Sequence, residues 1–201
     1  MRRITSLVLL AAFAVLAAAV IAPAEEKSSA AVGKSAPAFQ LQDQGGKTIN
    51  LADQSGKVVV LEWWNNECPI DARHYTSGEM NKLASKWTDK GVVWLAINST
   101  HDKTNADNKK AGDAWHMERP ILNDASGDIG HEYGATNTPH MFVIDSSGKV
   151  VYMGAIDNNP DGDKTSGVVN YVDQALTQLA SGTSVSQPQT RAYGCSVKYA
   201  K

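Results

Sequence analysis

Residues Lys57-Val58-Val59-Val60-Leu61-Glu62-Trp63-Trp64 form an almost unbroken β-branched and aromatic run. A strand with one wet face alternates apolar and polar side chains, so a run without alternation is a strand covered on both sides. Such a chain must supply an apolar layer above the sheet and another below it. Val92-Val93-Trp94-Leu95-Ala96-Ile97 repeats the pattern. Between the two runs, Met80, Leu83 and Trp87 are spaced three and four apart, which predicts a helix that starts at Pro69, continues past Ile70 and is closed by Gly91.

The rest of the chain extends this alternation. Phe39 to Asn50 reads as a hairpin turning at Gly45-Gly46. A more polar helix is expected between Thr104 and Met117, with a short strand at Pro120 to Asn123. Thr138 to Asp145, a Ser146-Ser147-Gly148 turn and Lys149 to Ile156 form a second hairpin. Val169, Val172, Leu176 and Leu179 mark the face of a last helix. This order predicts an α/β domain with a mostly parallel sheet core and an antiparallel edge.

The 201 residues, 42% of them hydrophobic, suit one globular domain. A formal net charge of -2 gives no field to hold nucleic acid or anionic lipid, so neither is expected as a partner. Arg2 and Arg3 precede an apolar run from Leu7 to Ala22 that ends in Ala22-Pro23-Ala24, a small-residue cleavage pattern. The run is short for a bilayer span. Residues 1–24 are therefore read as a signal peptide, with a membrane anchor as the outcome if it is not cleaved. The mature protein is expected in the periplasm or outside the cell, with no stable membrane insertion. Residues 25–34 are read as a flexible approach, 35–181 as the domain and 182–201 as a tail.

Two cysteines, Cys68 and Cys195, exclude four-cysteine zinc sites and a dense disulfide scaffold. Cys68 follows the first buried strand and precedes Pro69, a residue suited to the first helical position. A thiol at a helix start meets unsatisfied backbone N–H groups that favour the nucleophilic thiolate. Cys68 is expected to be open to electrophiles. Arg73 and His74 would reinforce its charge, Glu67 and Asp71 would oppose it, and composition does not settle the balance.

Val32-Gly33-Lys34-Ser35-Ala36-Pro37-Ala38-Phe39, Asp43, Gly46-Lys47 and Gly56-Lys57-Val58-Val59-Val60-Leu61 resemble the opening of the redoxin and alkyl hydroperoxide reductase/thiol-specific antioxidant family. Thr138-Pro139 before Met141-Phe142-Val143-Ile144-Asp145 resembles the cis-proline strand of that superfamily, and Tyr193-Gly194-Cys195-Ser196-Val197-Lys198-Tyr199 is similar to the close of its exported members. The resemblance implies a peroxiredoxin-like thioredoxin fold: a central mixed sheet flanked by helices, with an N-terminal β-hairpin. It also implies Cys68 as the attacking thiol beside a cis Thr138-Pro139 bond, with Trp64, Asn65, Pro69, Thr138 and Pro139 shaping the substrate contact. The substrate would be a peroxide or a disulfide and the reductant an external thiol of thioredoxin type. No cofactor and no metal are called for.

Two departures narrow this. Asp71 stands where a Cys-x-x-Cys reductase has its second thiol, so exchange within one motif is impossible. Leu61 and Asn65 stand where a peroxiredoxin has its proline and threonine. Cys195 remains as a resolving thiol, although half of a permanent bridge or an unpaired tail thiol fit the sequence as well. Other classes of function are a disulfide reductase or isomerase for protein substrates, and a redox-inactive docking or metal-binding module using His74, His140 and Cys68. Asp157-x-Asn159-x-Asp161-Gly162 copies half of a calcium loop, but Val168 stands at the twelfth position, and a polar turn is the better reading.

Overall fold

The strand β3 (Val59–Trp63) is buried at all five positions, as its composition requires. In the computed structural model, which describes residues 29–200, it lies inside a seven-stranded sheet. Its parallel neighbour is β4 (Val93–Asn98), followed by β5 (Ile121–Asn123), also parallel. On the other side comes β7 (His140–Ile144), antiparallel, then β8 (Val150–Gly154). The hairpin of β1 (Gln40–Asp43) and β2 (Thr48–Asn50) completes the sheet through an antiparallel β1–β5 pair. The parallel core is thus three strands wide with antiparallel pairs on both sides, where the sequence suggested a single antiparallel edge.

Strand periodicity sorts the core into two layers. Val60 and Trp64 join Tyr75, Met80, Trp87, Val172 and Leu176 on one face, beneath α1 (Pro69–Thr76), α2 (Glu79–Thr88) and α5 (Tyr171–Ala180). Val59, Leu61 and Trp63 face Phe39, Tyr133 and Phe142 on the other, beside α4 (Asp128–Tyr133). Glu62 is fully buried in the first layer, where it accepts hydrogen bonds from Tyr75 Oη at 2.6 Å and Trp94 Nε1 at 2.8 Å and pairs with Arg119. Those partners satisfy a charge that would otherwise be costly to bury.

Several boundaries differ from expectation. The single helix after Pro69 is two, because Gly78 turns left-handed at φ 75° between α1 and α2. The polar helix is α3 (Asn105–Ala114), with Thr104 and Asp107 forming a capping box. The helix α4 was not anticipated, since six residues give too little periodicity to read. Val169 precedes α5 and is exposed.

The ends of the domain are tied down. Ala30 N–H bonds to Glu132 O and Gly33 N–H to Val150 O, so the described part of the supposedly flexible approach runs along the fold. The tail does the same: Met153 N–H donates to Pro188 O, Thr190 N–H to Met153 O and His101 N–H to Lys198 O. The expected signal peptide lies outside the described residues. Among the described residues no helix is long and apolar enough to cross a membrane.

Candidate active site

Cys68 is the N-cap of α1, in extended conformation, and Pro69 takes the first helical position. Asn65 builds the turn that delivers it. The backbone carbonyl of Asn65 accepts the Cys68 N–H at 3.0 Å, its side-chain oxygen accepts the Glu67 N–H at 2.8 Å, and its own N–H donates to Asp71 Oδ2 at 2.9 Å. The sulfur is held at the carboxyl end of β3, where open sheets place their ligands.

Over this sulfur lies a small second sheet. The Thr138-Pro139 bond is cis, and it divides the strand read from Thr138 to Asp145 into β6 (Asn137–Thr138) and β7. The two-residue β6 pairs antiparallel with β9 (Cys195–Ser196) of the tail, Thr138 opposite Cys195. Asn137 Nδ2 donates to Gly194 O at 3.0 Å, and Gly194 adopts φ 109° so close to Thr138 that a β-carbon would run into its carbonyl. Cys68 Sγ consequently lies 3.1 Å from Thr138 O and 2.7 Å from Cys195 Sγ, both thiols free. Cys68 is only 1% exposed, which corrects the expectation of an open sulfur: the tail covers it, and Cys195 is the half-buried one.

The two thiols divide proton and charge between them. Burial pushes the Cys68 thiol up, but the Cys195 thiol, Thr138 and the backbone N–H groups of Asp71 and Cys195 outweigh it, and the net displacement is downward. Cys195 is pushed up to about 11 by burial and by its hydrogen bond to Cys68 and the charge there. Of the two, Cys68 is therefore the more readily ionised and Cys195 the one that holds its proton more firmly.

The cations expected to assist do not. Arg73 sends its guanidinium to Pro160 O at 2.8 Å and Asn159 O at 3.0 Å. Burial, with Arg73 beside it, lowers His74 despite Asp157 and Glu79, so His74 is a neutral ring at the site. Its Nε2 is 3.1 Å from Tyr193 Oη, and Tyr193 donates to Asp157 Oδ1 at 2.6 Å. That chain anchors the tail two residues before Cys195. Asp157 also accepts the Asn159 N–H at 2.7 Å, so the polar-turn reading of this segment holds and gains an anchoring role that nothing in the sequence signals.

Cys68, Cys195, Asn65, Pro69, Thr138 and Pro139 converge around the sulfur pair. Trp64 sits behind them, 1% exposed, its ring edge-on to Trp115 and Tyr75. His140 belongs to β7, accepts the Thr136 N–H through Nδ1 at 3.3 Å and packs on Phe142. Asp71, treated in the sequence as a charge opposing Cys68, is completely buried against it.

A family model described as the AhpC/TSA family matches residues 32–153. The chain is 35% identical over 127 residues to thiol-disulfide oxidoreductase ResA of Bacillus thuringiensis subsp. konkukian, spanning 63% of this chain and 70% of that protein. Among solved structures, an uncharacterized conserved protein from Geobacillus kaustophilus superposes with a TM-score of 0.77 at 28% identity, covering 85% of this chain and 93% of that one. A putative thiol:disulfide interchange protein DsbE from Chlorobium tepidum gives a TM-score of 0.55 at 30% identity over 62% of this chain and 85% of its own.

Proposed function

The chain belongs to the AhpC/TSA family and is a thiol-dependent oxidoreductase, and we propose that it works by thiol–disulfide exchange, with Cys68 as the attacking thiolate and Cys195 as the resolving thiol. The observation that carries this is the sulfur pair itself, 2.7 Å apart, with Cys68 displaced downward and Cys195 upward. A nucleophile must be ionised and its partner must hold its proton until its turn comes. Substrate reaches Cys68 when β9 lifts from β6, forms a mixed disulfide with it, and is expelled when Cys195 returns. Thr138 and Pro139 border the contact, while Asn65 and Pro69 fix the sulfur from below.

Disulfide is favoured over peroxide as the substrate. Leu61 and Asn65 replace the proline and threonine that the peroxidase pattern uses, and the Asn65 side-chain oxygen is committed to the Glu67 N–H. An external thiol of thioredoxin type would return the pair to the dithiol, and residues 1–24 would direct the protein out of the cytoplasm. The domain organisation that goes with this is a catalytic unit over 35–181 closed by a working tail over 182–201.

The reading is tested with single-cysteine variants and intact-protein mass. C68S is expected to abolish turnover of a model disulfide, and C195S to accumulate one mole of mixed disulfide on Cys68. Turnover by C68S at the wild-type rate would overturn the assignment. A wild-type protein that consumes hydrogen peroxide efficiently and leaves disulfides untouched would replace disulfide by peroxide as the substrate.

A further inference from the structure

Asp71 is the third residue of α1, a place where an acid ordinarily sits in water and caps the helix. Here it is fully buried. Its Oδ2 accepts the Asn65 N–H at 2.9 Å and its Oδ1 has no partner among the described residues. The Thr138 hydroxyl is likewise buried without a partner, near enough to Asp71 and Cys68 to act on both. Among the described residues no cation pairs with the acid: Arg119 is committed to Glu62, and Arg73 points to the 159–160 loop. The groups that face Asp71 are Glu62 of β3, Cys68 at the helix cap, Thr138 of β6 and Cys195 of β9. Burial first, and then the Cys68 charge, displace its carboxyl well upward. An isolated buried carboxylate is so costly that the group keeps its proton.

We infer that Asp71 is the proton-transferring residue of the sulfur pair, giving a proton to the first leaving thiolate and taking one from Cys195 in the resolving step. This rests on Cys68 attacking and Cys195 resolving, as proposed above. The Cys68 thiolate attacks R–S–S–R′, forms Cys68–S–S–R and releases R′S⁻, which leaves as R′SH with the Asp71 proton. Loss of the thiolate charge at Cys68 lets Asp71 exist as a carboxylate for the interval. It then removes the Cys195 proton as Cys195 Sγ bonds to Cys68 Sγ and RS⁻ departs. Two electrons pass from the two protein sulfurs to the substrate, and Asp71 ends protonated as it began. The free Thr138 hydroxyl, able to donate and accept at once, is positioned to carry the proton between carboxyl and sulfur.

The test is D71N, whose amide keeps an acceptor for the Asn65 N–H but cannot hold the proton. Stopped-flow reaction of the full chain with a chromogenic aryl disulfide releases one coloured thiolate on attack and a second on resolution. The first release is expected within a few-fold of wild type, because an acidic aryl thiolate departs without the Asp71 proton, which in the wild type passes to solvent once the Cys68 charge is gone. The second is expected to slow about 10²-fold near neutral pH, the usual reach of a general base, and to recover as alkaline solution ionises Cys195 directly. Equal second-release rates across the pH range, or a slowing with no alkaline recovery, would overturn the inference. Failure of the wild type to release a second thiolate would instead defeat the underlying reading of Cys195. Should D71N not fold, infrared difference spectra of wild type with isotope-labelled aspartate carboxyls decide: a protonated aspartate in the reduced protein at neutral pH supports the inference, and its absence refutes it.

Discussion

Cys68 shows how far single residues can be read. An apolar strand, Asn65, Cys68 and Pro69 in that order placed the thiol at a helix start, and one backbone amide of the first turn, that of Asp71, does favour its thiolate. Burial was not legible, because Cys68 is covered by residues 127 positions away. Asp71 shows the same limit: its position marks it as a charge opposing Cys68, and nothing in the local pattern announces that it is fully buried. His140 carries a consequence for stability. Burial lowers it from 6.5 to about 4, so the folded protein binds its proton less readily than the unfolded chain. Its contribution is whole above about pH 6.5 and is lost as pH falls toward 4, at most about 3 kcal/mol. Asp71, displaced upward, has the opposite sign: its contribution is present in acid and is lost as pH rises from the ordinary carboxylate range. Denaturant unfolding of H140N at neutral pH and at pH 4 should show a shallower acid loss than wild type, even if the variant is weaker at neutrality. Parallel losses in the two proteins would contradict the assignment.

Among the elements, the buried strands and the terminal helix were legible because each carries its own periodicity. The break between α1 and α2 and the short helix α4 were not, since one left-handed glycine and six residues leave too little pattern. Least legible was the β6–β9 pair, in which only two residues on each side meet across more than fifty positions of sequence. A pair so short cannot hold itself, and Tyr193 supplies the anchor through Asp157 and His74. Y193F removes that hydroxyl while leaving the ring, at a cost of about 1 kcal/mol. The cost falls on the closed tail, so the tail should open more often and Cys68 should alkylate several-fold faster with iodoacetamide in the reduced native protein. Labelling of Cys68 at an unchanged rate in Y193F would show that Tyr193 does not hold the tail closed.

Over the whole molecule, the layered α/β plan followed from two strands that needed cover on both faces, while the second antiparallel flank depended on β1 reaching β5, a pairing no local pattern announces. The largest consequence at this scale comes from the sequence distance between the two sulfurs. A bridge between Cys68 and Cys195 would close a loop of 127 positions, nearly the whole domain. In the chain-entropy account a loop of that size removes about 5 kcal/mol from the unfolded ensemble. The fold already holds the thiols together, so little rearrangement of the native state offsets that gain. For a domain of this size, each kcal/mol is worth about 2–4 °C in Tm, and the oxidised protein should melt on the order of 10 °C above the reduced one. The comparison is made by calorimetry on oxidised and reduced wild type, with C195A as the control whose Tm should not respond to reductant. If oxidised and reduced wild type melt together, the pair does not bridge in the folded protein, and exchange through Cys195 fails with it.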